Sequence, residues 1–238
     1  MIIKAIQDRL RLLADPQRAE GLQRFFKTGP GQYGAGDRFL GIRVPQLRKL
    51  WWEYGDCSVE DALVLLRSPI HEERLLALLL LMKEFAEGPE STQKRIYNSY
   101  LGHSHYVNNW DFVDISAQHI IGAFLWDKDR SPLYRLAKSK NLWERRIAIM
   151  ATLFFIRQGR FEETLKISAM LLGDEEDLIH KAVGWMLREV GKREPQAEED
   201  FLEKHYKKMP RTMLRYAIER FPEGKRRRYL QGKISVKA

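Results

Sequence analysis

Apolar residues recur three and four positions apart along almost the whole chain, which is the period of an α-helix. No segment shows the strict alternation of apolar and polar residues that marks a half-buried strand. Prolines stand where many of the apolar periods begin, and proline is tolerated in a first helical turn because its missing N–H has no partner there. These prolines are Pro16, Pro45, Pro69, Pro89, Pro132, Pro195, Pro210 and Pro222. The pattern predicts an all-α protein.

Five of the predicted helices recur at a nearly constant spacing. They contain the segments EERLLALLLL, NNWDFVDISAQHIIGAFL, ERRIAIMATL, HKAVGWML and MLRYAIER, whose equivalent residues are 36, 36, 35 and 34 positions apart. A shorter helix fits between each consecutive pair. Helix-pair repeats of this length are typical of α-solenoids of the HEAT or armadillo kind. We therefore expect a single domain over residues 1–238, whose second helices line a concave surface.

The charge of the chain indicates a polyanionic partner. The 238 residues include 41 Lys and Arg and 32 Asp and Glu, for a formal net charge of +9. Residues 203–238 alone hold twelve basic and three acidic residues, and residues 127–160 hold nine and three. The C-terminal tail from about 222 to 238 is strongly basic. A solvated, frayed terminus would also give such a run, but two basic stretches favour a nucleic acid.

Several classes of protein are excluded or disfavoured. The lone cysteine, Cys57, excludes an intramolecular disulfide framework and any multi-cysteine metal site. The longest apolar run, Leu75 to Met82, is far shorter than the roughly 20 residues of a membrane-spanning helix. Lys4, Asp8, Arg9 and Arg11 interrupt the apolar residues near the N-terminus, so the apolar core of a secretion leader is not expected there. We expect a monomer of the bacterial cytosol or nucleoid, with no metal and no cofactor.

Equivalent positions of the five repeats carry similar chemistry. Four of the five residues in one register are basic, so the expected concave wall is cationic and suits a DNA duplex. The register contains Arg74, Trp110, Arg146, Lys181 and Arg215. Four residues further on, the same helical face carries Leu78, Asp114, Met150, Trp185 and Glu219.

Two indoles and one carboxylate in this pattern can stabilise a cation. Trp110 and Asp114 lie one turn apart, and Trp185 is in register with Asp114. Indole faces and a fixed carboxylate attract the positive charge that develops on a sugar when its N-glycosidic bond breaks. The tryptophans could instead be core residues, and Asp114 could pair with Arg146 or cap a neighbouring repeat. Gly184 indicates a close approach, either of a ligand or of another helix.

The chain resembles the AlkD-type DNA glycosylases, a family of alkylation-repair proteins with HEAT-like repeats. The resemblance covers nearly the whole chain and is carried by FLGIRVPQLRKL (residues 39–50), NNWDFVDISAQ (108–118), NLWERRIAI (141–149) and HKAVGWMLREVGK (180–192). It implies an enzyme that excises cationic alkylpurines, such as 3-methyladenine and 7-methylguanine, from duplex DNA without turning the base into a pocket.

The resemblance also implies roles for individual residues. Trp110 and Trp185 would pack against the deoxyribose, while Asp114 would stabilise the oxocarbenium ion and orient the water. Contacts to DNA are implied for Arg146, Arg188, Arg43 and Phe25, and the cationic register predicts one for Lys181. Arg188 could instead pair with Glu189 or a neighbour. Phe25 stands where some relatives carry a tyrosine.

Two other functions remain open from the sequence. A non-catalytic solenoid that binds damaged or distorted duplex would show salt-dependent binding without base release. A protein-binding scaffold would use the basic surface for acidic partners, although it would not need the tryptophans and the aspartate.

The Gly-rich stretch from Thr28 to Arg38 is expected to be a flexible connection between helices.

Overall fold

The computed structural model of the protein describes residues 2–234. Over these residues the chain forms fourteen α-helices and no β-strand, and one isolated parallel bridge joins Arg38 to Ile70. The prediction of an all-α protein is confirmed. The helices are α1 (Ile2–Leu12), α2 (Pro16–Phe25), α3 (Val44–Glu53), α4 (Val59–Leu66), α5 (His71–Glu87), α6 (Glu90–Gly102), α7 (Trp110–Ala117), α8 (Ser131–Ala137), α9 (Leu142–Arg157), α10 (Glu162–Met170), α11 (Asp177–Gly191), α12 (Pro195–His205), α13 (Arg211–Ala217) and α14 (Glu223–Leu230).

The predicted repeat is present as a succession of helix pairs. The five in-register positions fall on α5, α7, α9, α11 and α13, and one helix lies between each consecutive pair. The intervening helix is not always the shorter one, since α12 is longer than α13. The helical-repeat fold is thus confirmed, while the concave basic surface stays a prediction.

The chain divides into two compact units, which we call unit 1 and unit 2. Unit 1 ends at Ser116 and unit 2 begins at Ala117. In unit 1, α5 is buried on every side from His71 to Leu81 and packs against α1, α3, α4 and α6. In unit 2, α9 is the central helix and packs against α8, α10 and α11, while α11 also packs against α12 and α13.

The connection before α3 packs more tightly than the sequence indicated. A Cβ atom at Gly34 would strike the carbonyl oxygen of Phe26, and the side chain of Asp37 is buried. Gly36 has a φ of 89°, a conformation that glycine adopts without strain. Close backbone packing and a buried carboxylate hold this part of the connection, while its expected flexibility stays a prediction.

Glycine allows α11 and α13 of unit 2 to approach closely. A Cβ atom at Gly184 would overlap the backbone oxygen of Met213 and the side chain of Tyr216. The close approach indicated by this glycine is therefore that of another helix. Any side chain added here would push the two helices apart.

The basic tail begins as a packed helix. Tyr229 of α14 is buried, and its ring makes an edge contact with Tyr206 at 5.4 Å between centroids. The expected tail at about 222–238 is therefore anchored through α14, while positions 235–238 lie outside the described residues. No helix among residues 2–234 is long and apolar enough to cross a membrane.

Candidate functional site

Helix α7 begins with a turn whose backbone is held by its own polar side chains. Asn109 is fully buried, and its Oδ1 accepts a hydrogen bond from the backbone N–H of Trp110 at 2.8 Å. Asp111 Oδ1 accepts one from Phe112 N at 3.0 Å. A helix start leaves such N–H groups without helical partners, so these side chains fix where α7 begins.

The indole of Trp110 rests on an aromatic support within unit 1. Its ring stacks on Phe26 with 5.2 Å between centroids and an angle of 19° between planes. Phe25 meets the indole edge-on at 6.1 Å, and 63% of its surface is exposed. Trp110 itself is partly exposed, so the rings form a rigid apolar platform that is open to a ligand.

Asp114 lies one turn after Trp110 on α7 and is partly exposed. The negative charge of Asp114 acts on the phenol of Tyr100. The Tyr100 hydroxyl is hydrogen-bonded to the Ser116 hydroxyl at 2.8 Å. Burial raises the pKa of Tyr100, and the carboxylate of Asp114 raises it further. The predicted pairing of Trp110 and Asp114 on one helix is therefore present, with the carboxylate at the boundary between the packed interior and solvent.

A buried cluster of charged and amide groups lies behind the first turn of α7. His71 Nδ1 is 3.0 Å from Asp37 Oδ2, and His71 Nε2 is 2.8 Å from Asp111 Oδ2. Asp37 also accepts hydrogen bonds from Arg74 and from Asn109, the latter at 3.1 Å. We call these five residues the His71 cluster. Its members come from three separate segments of the chain, at residues 37, 71–74 and 109–111, so no local sequence pattern predicted their association.

The backbone before Arg43 is fixed by another buried carboxylate. Glu72 accepts hydrogen bonds from the N–H groups of Leu40, Gly41 and Ile42, at 2.9, 2.8 and 3.2 Å. Arg43 follows directly at the start of α3 with its side chain exposed. Glu72 thus fixes the backbone that carries the exposed side chain of Arg43. This position is compatible with the expected contact to DNA.

Trp185 lies on α11 of unit 2 and is partly exposed. Its indole N–H donates to Glu189 Oε1 at 3.2 Å, and Lys192 donates to the same oxygen at 2.5 Å. Burial alone would raise the pKa of Glu189, but the hydrogen bond and charge of Lys192, with the indole N–H, lower it. This carboxylate therefore stays ionised and fixes the orientation of the Trp185 ring.

Two of the expected surface cations are inside the protein. Arg146 is 4% exposed, and its guanidinium donates to the backbone oxygen of Leu178 in unit 2. Arg74, at the equivalent position in unit 1, is equally buried in the His71 cluster. The expectation of an uninterrupted cationic wall is corrected at these two positions, because both guanidinium groups bind acceptors of the protein itself.

Two further predicted cations of unit 2 are accompanied by carboxylates. Arg188 is paired with Glu219, and Lys181 Nζ lies 2.7 Å from Asp177 Oδ2. The hydrogen bond from Lys181 lowers the pKa of Asp177. A cavity of 670 Å³ adjoins Lys181, Asp177 and Glu219, and we call it the α11–α13 groove. It is lined by Asp177, Lys181, Thr212, Arg215, Tyr216, Glu219 and Arg226.

The groove has three cations and two carboxylates, and its exposed ion pair of Lys181 with Asp177 contributes little to stability. Among residues 2–234, no group of three or more His, Cys, Asp or Glu side chains is arranged to hold a metal ion. The structural features are therefore an aromatic and carboxylate pair on α7, a fixed indole on α11 and a basic groove.

These features define an all-α helical-repeat protein with candidate sites for a cationic and a phosphate-bearing ligand. The family model described as "DNA alkylation repair enzyme" matches residues 6–221. The chain therefore belongs to the DNA alkylation repair enzyme family, whose substrate is DNA.

A solved structure shares the fold. It is described as a predicted DNA alkylation repair enzyme from Enterococcus faecalis, is 18% identical, and superposes with a TM-score of 0.67. The match covers 88% of this chain and 97% of that chain. No curated protein sequence matches this chain at a significant level.

Proposed function

We propose that the protein is a DNA glycosylase that hydrolyses the N-glycosidic bond of cationic alkylated purines in duplex DNA. The preferred substrates would be 3-methyladenine and 7-methylguanine, recognised without turning the base into a pocket. One observation carries the proposal: in a DNA alkylation repair protein, Trp110 rests on Phe26 while Asp114 lies one turn away on the same helix.

The proposed reaction suits this pair of side chains. When the C1′–N bond breaks, its electron pair moves to the purine, which leaves as a neutral base, and positive charge develops on the deoxyribose. The Asp114 carboxylate stabilises that charge and orients a water molecule, which adds to C1′ and releases a proton. The face of the Trp110 indole contributes about 0.5–2 kcal/mol towards a cation.

The other predicted residues receive separate roles in the proposal. Trp185 would present its ring to the deoxyribose, with its N–H held by Glu189. Phe25 would shield the edge of Trp110, and Arg43, Lys181 and Arg188 would contact the DNA backbone. Arg146 would support α11 through Leu178, and its predicted contact with a phosphate would require the buried guanidinium to leave that bond.

Base release from a methylated duplex tests the proposal directly. Wild type should release methylpurines without added cofactor, and Asp114→Asn should lower the single-turnover rate by about a hundredfold to a thousandfold. The variant should keep its affinity for DNA, because a carboxylate does not attract phosphates. Asp8→Asn is the matched control, since Asp8 is exposed and its ion pair with Arg11 contributes little.

The same assay separates the proposal from its main alternative. A protein that only recognises damaged or distorted duplex would bind the methylated DNA in a salt-dependent way and release no base. Full activity of Asp114→Asn would remove Asp114 from the mechanism. We also propose that the enzyme works as a monomer of the cytosol or nucleoid and forms one functional domain, which sedimentation and localisation experiments can test.

A further inference from the structure

The His71 cluster contains two acids and two bases in nearly complete burial. The side chains of His71, Arg74 and Asp37 are 3%, 4% and 5% exposed, and that of Asp111 is 17% exposed. If both bases are protonated, the four formal charges cancel. If His71 is neutral, the cluster holds an uncompensated negative charge, which is costly in the interior of a protein.

When both carboxylates are ionised, the geometry of His71 matches the imidazolium form. Each ring nitrogen faces a carboxylate oxygen, at 3.0 Å from Asp37 and 2.8 Å from Asp111. A neutral imidazole carries one N–H and one lone pair, so it can donate to only one of two ionised carboxylates. Only the protonated ring donates to both.

The groups around the ring also favour its protonated form. Burial alone would lower the pKa of His71, but the hydrogen bonds and charges of Asp111 and Asp37 outweigh burial and raise it. Arg74 contacts Asp37 from the helix of His71, and the ring is otherwise enclosed by aromatic side chains. These are Phe26, Phe39 and Phe112, with centroids at 5.0, 4.3 and 4.2 Å.

The cluster is connected to Trp110 by two separate routes. Asn109 donates to Asp37 and accepts from the backbone N–H of Trp110, so the amide joins the cluster to the first residue of α7. Phe26 lies between the rings of His71 and Trp110 and contacts both. Asp111, the second residue of α7, is itself a member of the cluster.

We propose that His71 is a positioning residue that, as an imidazolium bridge between Asp37 and Asp111, fixes the first turn of α7. The bridge holds Trp110 and Asp114 in place for the deoxyribose, so this inference rests on the proposed function. Loss of the proton breaks one of the two hydrogen bonds and releases the start of the helix. Base release then falls as pH rises through the pKa of His71, by about tenfold to a hundredfold in total, and levels off once the bridge is lost.

The stability of the protein also decreases as His71 loses its proton. Because the pKa of His71 is raised on folding, its contribution is complete below about pH 6.5 and is lost as pH rises through the folded value. Asp37 behaves in the opposite way. Burial alone would raise its pKa, but the hydrogen bond from His71 and the charge of Arg74 lower it. Its contribution is therefore lost only in acid.

Asp111→Asn tests the bridge without removing the histidine. In this variant a neutral His71 keeps both hydrogen bonds, since Nδ1–H donates to Asp37 and Nε2 accepts from the new amide. Single-turnover base release should therefore lose its alkaline fall in Asp111→Asn and keep it in wild type. His119→Gln is the control, because burial lowers the pKa of His119 and this residue lies outside the cluster. It should leave the wild-type profile unchanged.

Nuclear magnetic resonance provides the readout that does not depend on activity. The ring nitrogens of His71 should show a doubly protonated imidazole at pH about 7, where an ordinary histidine is mostly neutral. The indole N–H signal of Trp110, assigned by its disappearance in Trp110→Phe, should shift in the same pH range. In His71→Ala, if it folds, base release should fall by about tenfold to a hundredfold, with DNA affinity less affected.

The outcomes distinguish this inference from the proposed function. A neutral His71 ring at pH about 7, or equal alkaline profiles in wild type and Asp111→Asn, overturns the positioning role. If wild type releases no base at any pH, the proposed function fails. In that case the joint titration of His71 and the Trp110 signal still decides whether the bridge fixes α7.

Discussion

Arg74 and Arg146 occupy equivalent repeat positions and bind the protein itself, where the sequence pattern predicted a surface for DNA. Arg74 donates to the backbone oxygen of Tyr106, and Arg146 donates to that of Leu178, in each case 32 residues further along the chain. Each arginine thus links its own helix to the chain at or just before the start of the next helix that carries an equivalent repeat position. A basic residue near the start of a buried helix gives the same sequence pattern whether it binds a carbonyl or a phosphate.

Glu198 is a second buried charge with an unusual environment. It is 3% exposed, and its Oε1 has no hydrogen-bond partner among the described residues. Burial, helped by the neighbouring Glu199, raises its pKa to about 8. The folded protein therefore binds a proton that the unfolded chain releases near the ordinary glutamate pKa of 4.5.

This environment predicts a stability that decreases in mild alkali. The contribution of Glu198 is complete below pH 4.5 and is lost as pH rises to about 8. Glu198→Gln should remove that dependence and make the protein more stable than wild type at pH 8 or above. Urea unfolding of both proteins across this range is the measurement, and exposed Glu162→Gln is the control. Parallel pH profiles in wild type and Glu198→Gln would contradict the prediction.

At the level of elements, local patterns predicted the helices and failed for contacts between distant segments. The apolar period placed Trp110 and Asp114 on one face of α7 because a helix fixes that geometry over four residues. It could not predict the His71 cluster, whose histidine finds its partners 34 and 40 residues away. The signal present in the sequence was the run from His71 to Arg74, four polar residues directly before a long leucine stretch.

Two glycines within helices should respond oppositely to alanine. Gly184→Ala should destabilise the protein by about 1–3 kcal/mol, because the new methyl group is forced against Met213 and Tyr216 of α13. Gly21→Ala in α2 should stabilise it by up to about 1 kcal/mol, because a Cβ there meets no atom within 4 Å. Thermal and urea unfolding will measure both, and a neutral Gly184→Ala would show that α11 and α13 can separate without cost.

At the level of the whole molecule, the net charge of +9 predicts a partner better than it predicts individual contacts. Arg146 is buried, Arg188 is paired with Glu219, and Lys181 is paired with Asp177. Only an exposed pair such as Lys181 with Asp177 can replace its carboxylate with a phosphate at little cost. The charge that remains accessible includes Arg228 of α14 and Arg227, whose pair with Glu223 is exposed, on a helix anchored by Tyr229.

Neutralising these two arginines should weaken binding to methylated and unmethylated duplex equally. For each phosphate that the variant no longer neutralises, the slope of log affinity against log salt should become shallower by about 0.9, because fewer counterions are released. The double variant Arg227→Gln with Arg228→Gln should keep the wild-type rate of base release at saturating enzyme, since it leaves α7 untouched. Titrations at several salt concentrations measure the slope.

The matched control for α14 is Arg9→Gln with Arg11→Gln on α1. It removes the same charge from two exposed arginines that are paired with Glu53 and Asp8. If both double variants change the slope equally, the effect comes from net charge and α14 makes no specific contact with DNA. A larger change in the α14 variant places part of the DNA-binding surface on that helix, because the total charge of the two variants is identical.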